Sequence, residues 1–170
     1  TIMPHDSIVD WVLVETRDAV DPRIVLSRQA GFVQKNGEVV STDGYSLLVE
    51  PTATSFYVSI THRNHLSAMT ANPVTLTNSR YFADLTAVGS LYVNPTEPGA
   101  PAALVGGRMV LLQGDQSSDD QINSLDLGGV MNNYFTAGMR TADVNLDGVT
   151  NSIDVARAFS NYFRRSHTPK

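Results

Sequence analysis

Two acidic stretches hold the side chains of this chain that are best spaced to do chemistry together. Asp115, Ser117, Asp119, Asn123 and Asp126 form one set. Asp143, Asn145, Asp147, Asn151 and Asp154 form the other, at a constant offset of 28 residues (115 to 143). Each set places oxygen side chains at positions one, three, five, nine and twelve of a twelve-residue loop, the spacing that wraps a chain around Ca²⁺. Position seven adds a backbone carbonyl in such loops, here from Gln121 and Val149. The expectation is two Ca²⁺ ions, held by three carboxylates each, a ligand charge suited to a calcium-rich medium. A turn closed by Asp and Asn side chains bonding to backbone is the competing reading. Duplication of the whole pattern favours the ion.

The copies are unequal. Position six is Gly148 in the second loop but Asp120 in the first, where a sharp turn requires positive φ. Ser117 is also a shorter ligand than Asn145. The first loop is therefore expected to bind more weakly, and Asp120→Gly is expected to relieve about 1 kcal/mol of strain.

A helical pattern follows each loop. Leu127, Val130, Met131, Tyr134 and Phe135 recur at i, i+3, i+4, i+7 and i+8, and Val155, Ala158, Phe159, Tyr162 and Phe163 repeat that spacing. Ser124 and Ser152 stand where N-caps are expected, with Asp126 and Asp154 in the first turn. Neither loop has an amphipathic helix before it. The apolar stripes are expected to pack on each other and on the rest of the chain, leaving a patch that includes Leu125, Met131, Ile153 or Phe159.

Paired calcium loop-helix units that lack the incoming helix and end in Asp resemble the dockerin module of cellulosomal and other extracellular bacterial proteins. The likeness covers about residues 113 to 165. It rests on the Asp-x-Asn-x-Asp-Gly loop at Asp143 and the paired Asn-Ser-hydrophobic-Asp motifs at Asn123 and Asn151. The resemblance implies a cohesin-like or other protein domain as partner in trans, or neighbouring domains of the same protein. It puts the partner face on Ser124, Leu125, Met131, Asn132, Ser152, Ile153, Phe159 and Ser160. Many dockerins carry a basic residue where Asn132 and Ser160 stand here.

Upstream, period-two apolar runs predict strands at 8–16, 24–29, 31–35, 38–40, 45–50, 56–62, 74–76, 91–93 and 108–112, with Asn36-Gly37 closing a hairpin. Short strands without a convincing helix predict a β-sandwich over residues 1–107 and a small α domain of two calcium loop-helix units over 108–170. The Pro-, Gly- and Ala-rich stretch 94–107 reads as a linker, and strand 108–112 as the fastening between the parts. The order of sandwich, apolar strand and paired loops is similar to the X-module–dockerin tandem, a resemblance that implies an immunoglobulin-like β-sandwich. The segments Ile8–Glu15 and Phe56–Leu66 resemble a C-terminal region recurrent in large secreted proteins of Bacteroidota.

Other residues offer less. His62, Arg63, Asn64 and His65 read as a strand-to-turn transition in which Asn64 makes the turn; binding of a transition metal or an anionic sugar is the alternative. Trp11 and Tyr57 lie in apolar runs and are expected in the core, although exposed rings would stack on sugar. Asp10, Glu15, Asp43 and Asp84 stand singly, and no nucleophile elbow, phosphate loop or zinc-protease motif is present, so no enzymatic activity is expected. There is no Cys, hence no disulfide or thiolate site. A net charge of −5 argues against nucleic acid. No apolar run is long enough for a membrane span. The start at Thr1 reads as a fragment or mature segment.

Together these features predict a non-catalytic, calcium-stabilised interaction or anchoring module of an extracellular or cell-surface bacterial protein. Two alternatives remain: a structural segment of a surface filament or layer, or a carbohydrate-binding module of a secreted polysaccharide-degrading protein. An exposed Met131/Phe159 patch favours the first reading, full burial of both helices the second, and an aromatic platform on the sheet the third.

Overall fold

The computed structural model describes residues 8–48 and 54–170. Its main element is an antiparallel sheet ordered β3-β2-β1-β4-β5, with β6 pairing beside β5 on β4. The strands are β1 (Ile8–Asp18), β2 (Val25–Gln34), β3 (Val39–Ser41), β4 (Ser55–His62), β5 (His65–Met69) and β6 (Val74–Thr75). A separate hairpin joins β7 (Ala103–Val105) to β8 (Arg108–Val110), and two helices follow, α1 (Ser124–Asn132) and α2 (Ser152–Ser160). Mostly antiparallel sheet with two short helices is consistent with the expected β-sandwich.

β1 lies at the centre because its alternation serves both neighbours. Asp10, Val12, Val14 and Thr16 are buried on one face. On the other face the outer end is open, with Val9 and Trp11 exposed, while Glu15 and Arg17 farther along are buried. Arg17 bonds Glu15 at 2.6 Å and donates to the Pro22 carbonyl at 3.0 Å and the Pro169 carbonyl at 2.5 Å, so the C-terminal segment reaches this end of the sheet. Gly37, at φ 86°, turns the β2–β3 hairpin, as Asn36-Gly37 predicts.

Several sequence expectations change. The runs at 24–29 and 31–35 form one strand, β2. Residues 45–48 are not a strand, and 49–50 lie outside the described residues. Near 91–93 only a Thr70–Leu91 bridge forms. The stretch read as a linker contains β7 and buries Pro101 and Ala102, with Ala102 packed against Leu91 and Ala68. The expected domain boundary falls at the tip of the β7–β8 hairpin, between Gly107 and Arg108. Trp11, expected in the core, is 46% exposed opposite Phe32.

A buried cluster of Leu66 on β5, Leu112 and Ile122 joins the sheet to the first acidic loop. Val130, Ala142 and Val144, backed by Val155, form a second cluster between the two loop-helix units.

Candidate metal centre and its junction with the sheet

Both acidic loops fold the same way. Positions four and six adopt positive φ in each: Ser118 and Asp120 at 59° and 63°, Leu146 and Gly148 at 63° and 92°. The position-one carboxylate accepts amides from positions five and six, at 3.0 and 2.9 Å for Asp115 and at 3.1 and 2.9 Å for Asp143. The position-five carboxylate accepts the position-seven amide at 3.0 Å in both loops. Asp126 accepts Ser117 N and Asn123 N at 2.8 Å. Asp154 accepts Val144 N, Asn145 N and Asn151 N at 2.9, 3.1 and 2.8 Å. These bonds curl both loops in the same way.

In the first loop, carboxylate oxygens of Asp115, Asp119 and Asp126 lie within 4.8 Å of one another. In the second, Asp143 and Asp154 are equally buried, while Asn145 Nδ2 donates to Asp147 Oδ2 at 2.8 Å. Asn123 and Asn151, the position-nine ligands in the sequence pattern, cap the helices: their Oδ1 atoms accept Leu125 N and Ile153 N at 2.8 and 2.7 Å. Ser117 is exposed, Gln121 is half-buried, and the Val149 carbonyl accepts Asn151 Nδ2 at 3.2 Å.

Among the described residues, no Lys, Arg or His side chain forms an ion pair with Asp115, Asp126, Asp143 or Asp154, all at most 2% exposed. Burial, with the nearby carboxylates of Asp120 and Asp126 adding to it, pushes Asp115 up to about 7. A hard cation would reverse that penalty and take the converging oxygens as ligands. The first loop's residues therefore fit Ca²⁺, and the second loop repeats its fold with Asp143 and Asp154 equally buried.

The helices start one residue earlier than the Ser caps imply. Asn123 and Asn151 are the N-caps, each in a capping box with the aspartate at N3, Asp126 or Asp154. The helices also stop sooner than the apolar periodicity, at Asn133 and Asn161. Phe135 and Phe163 follow at φ 62° and 66°, and each amide bonds the opposite loop: Phe135 N to Thr150 O, Phe163 N to Ile122 O, both at 2.8 Å. Thr150 N returns a bond to Thr136 O, and Ile122 N to Arg164 O. Each loop's position eight is thus strapped by the exit of the other unit's helix.

Leu125, Met131, Ile153 and Phe159 are exposed, as the expected residual patch requires, but Phe135 and Phe163 do not pack down as expected and are 84% and 76% exposed. Ser124, Asn132, Ser152 and Ser160 are exposed as well, so all eight residues of the implied partner face reach solvent. Met131, Tyr134, Ser152 and Val155 line an open, mainly apolar recess between the helices.

The polar cluster at 62–65 forms the β4–β5 turn and also joins the sheet to both loops. Asn64, fully buried, donates from Nδ2 to Thr141 O at 3.1 Å and Asp143 O at 2.7 Å, and its own carbonyl accepts Gly114 N at 3.0 Å. Arg63 pairs with Asp10 at 3.0 Å and donates to the Arg140 carbonyl. Burial would raise Asp10, but Arg63 and His62 hold it below the usual carboxylate range. His62 and His65 meet edge-on at 4.5 Å, and burial lowers both, His65 to about 3. His62 Nε2 lies 3.1 Å from Asp10 and His65 Nδ1 2.7 Å from Asn64 Oδ1. Neutral rings bonded in this way serve as packing. Gly114 supplies the remaining contact: a Cβ there would lie 2.8 Å from Ala158 Cα. Sequence reasoning found the cluster but not its joining role, because Asn64 contacts loops far away along the chain. Glu15 is committed to Arg17 and Arg28, while Asp43 and Asp84 bond their own turns.

No protein-family model matches the chain, and no curated protein matches it. Among solved structures it is similar to an N-terminal interface mutant of the type II cohesin-X-dockerin complex from Acetivibrio cellulolyticus. Identity is 20% and the TM-score 0.47, over 91% of this chain and 82% of that chain. A C-terminal interface mutant of the same complex matches at 20% identity and a TM-score of 0.48, with the same coverage.

Proposed function

We propose that the chain is a non-catalytic interaction module, stabilised by two Ca²⁺ ions, that works outside the cell or on its surface. The observation that carries this reading is the matched pair of loops burying Asp115, Asp126, Asp143 and Asp154 with no cationic side chain paired to them among the described residues. Buried unpaired carboxylates are costly, and a divalent ion at each loop offsets that cost. Each ion would take the carboxylates at positions one, five and twelve, with the position-seven carbonyl of Gln121 or Val149. The protein then holds the cations and caps its helices with the same aspartates, so binding and helix formation are coupled. The paired-loop part, 108–170, presents the face of Leu125, Met131, Ile153 and Phe159, and the sheet part, 1–107, supports it. The sequence resemblance to dockerins makes a cohesin-like domain the first partner to try.

Calorimetric titration of the full chain should show two Ca²⁺ sites and weaker binding of Mg²⁺; fewer than two sites would defeat the metal assignment. With calcium present, Phe159→Asp should leave folding within about 0.5 kcal/mol of wild type, because the ring is 66% exposed. The same variant should abolish capture of a cohesin domain. Unchanged capture would move the interaction face elsewhere.

A second reading rests on Trp11, exposed on the sheet opposite Phe32. It makes the sheet a glycan platform and the paired loops a brace. Retardation by soluble polysaccharide in affinity electrophoresis, lost in Trp11→Ala, would favour it.

A further inference from the structure

The two loops share a backbone but differ in what their position-six residue does. At Gly148 an added Cβ would meet nothing within 4 Å. At Asp120 the side chain leaves the loop altogether: Oδ1 accepts Ser67 N of β5 at 3.0 Å, and Oδ2 lies 2.5 Å from Lys170 Nζ. Burial would raise this carboxyl, yet Lys170 and Ser67 hold it low. Its backbone amide meanwhile bonds Asp115 Oδ2 at 2.9 Å, so one residue touches both a proposed ligand and the sheet.

The backbone strap is common to both units: Ser166 N bonds Asp120 O as Gly138 N bonds Gly148 O, at 2.9 Å each. Beyond it, among the described residues, the second strap meets the sheet only at the β4–β5 turn, where Arg63 and Asn64 donate to the Arg140 and Thr141 carbonyls, whereas the first runs on along the sheet. Ser166, His167 and Thr168 are buried, Ser166 Oγ meets Ser67 Oγ at 2.8 Å, and His167 Nδ1 accepts Asn94 N at 3.0 Å. Pro169 then accepts Arg17 at 2.5 Å.

We propose that Asp120 is a positioning residue for the first cation loop, fastening it to β5 and to the C-terminal strap 164–170 so that cation binding and strap docking strengthen each other. The inference rests on the calcium reading above. Asp accepts positive φ more readily than most residues, and its anchored carboxyl keeps the loop closed where glycine would leave it free. Coupling of this kind is reciprocal: the factor by which a docked strap tightens calcium is the factor by which calcium tightens the strap.

The test uses the full chain, with position-six amides followed by NMR during Ca²⁺ titration and trypsin cleavage at Arg164 or Arg165 read by mass spectrometry. In wild type the strap should resist trypsin in calcium and be cut several-fold faster in EDTA. Against the relief of strain expected from the sequence, Asp120→Gly removes the bonds to Ser67 and Lys170 and should weaken the first site by roughly five- to tenfold, spare the second, and leave the strap cleavable even in calcium. Asp120→Asn, which still accepts Ser67 N, should restore part of the affinity. Lys170→Met should weaken the first site without altering the loop. If Asp120→Gly binds calcium at the first loop as tightly as wild type and keeps its strap protected, the proposal is overturned. Two filled sites with a strap indifferent to calcium would also overturn it while sparing the calcium reading. No uptake by either loop would remove both.

Discussion

The two loop-helix units show one backbone built from different side chains. Position one bonds the same amides, position twelve closes the same capping box, and position four is left-handed in both, as Ser118 in one and Leu146 in the other. What differs is the surroundings. The first loop shares the Leu66–Leu112–Ile122 core with the sheet and is tied to it through Asp120. The second contacts the sheet at its entrance, through Asn64. The carboxylate pattern sets loop shape, and the chain outside the loop sets how firmly that shape is held.

Removing the proposed Ca²⁺ ions tests the comparison most severely. EDTA should lower helical circular dichroism strongly, since nine-residue helices are too short to persist alone and the freed carboxylates repel. The sheet should survive, and the second unit should lose more order than the buttressed first. An unchanged spectrum would mean that packing alone holds both helices.

Next in size are the position-twelve aspartates. In calcium, Asp126→Ala and Asp154→Ala should each cost about 3 kcal/mol in chemical denaturation, from lost charged hydrogen bonds and a lost cap. Asp154 accepts three amides and Asp126 two from the loop, so Asp154→Ala should be the more damaging. The reverse order would show that the sheet contacts of the first loop depend on Asp126.

The joint itself should respond to pH. His65 is held neutral, its value lowered from 6.5 to about 3 by burial, with His62 and Arg63 adding and Asp10 opposing. The unfolded chain therefore takes up this proton first. The stability from the neutral ring is complete above about pH 6.5 and falls as pH drops toward 3, by up to about 1.4 kcal/mol per unit for one proton. Melting curves of wild type and His65→Gln between pH 5 and 7.5 should diverge downward for wild type; parallel curves would contradict this.

The smallest effect lies inside α1. An added Cβ at Gly128 meets nothing, whereas at Gly129 it would come within 1.9 Å of Gln116 Oε1. Gly128→Ala should stabilise by about 0.5–1 kcal/mol, and Gly129→Ala should gain less or lose. Equal gains would mean that Gln116 moves aside freely.

Much of the paired-loop part was legible because its rules are local. Ligand spacing, the left-handed position six and the first-turn aspartates all follow from residues a few positions apart. The caps were misplaced by one because Asn and Ser both cap well; the Asn123 to Asp126 and Asn151 to Asp154 spacing was the signal that decides. The helices were overrun because Tyr134 and Phe135 continue the apolar period, while their backbone is set by bonds to the opposite loop. β5 was missed because His65 and Ser67 are polar letters buried by long-range partners, and β7 because its stretch is rich in Pro and Gly. Trp11 was expected inside since its strand is apolar on both faces, and only the fold tells which face stays open.

The crossed pairing at Ile122 and Thr150 has a consequence for the module's evolution and engineering. Each repeat completes its partner's backbone, so a single copy lacks acceptors that it cannot supply itself. Half of the duplicated unit should not fold as an independent peptide, and two such halves mixed in trans should recover structure only as a heterologous pair. The repeat is a unit of sequence, but the unit of folding is the pair.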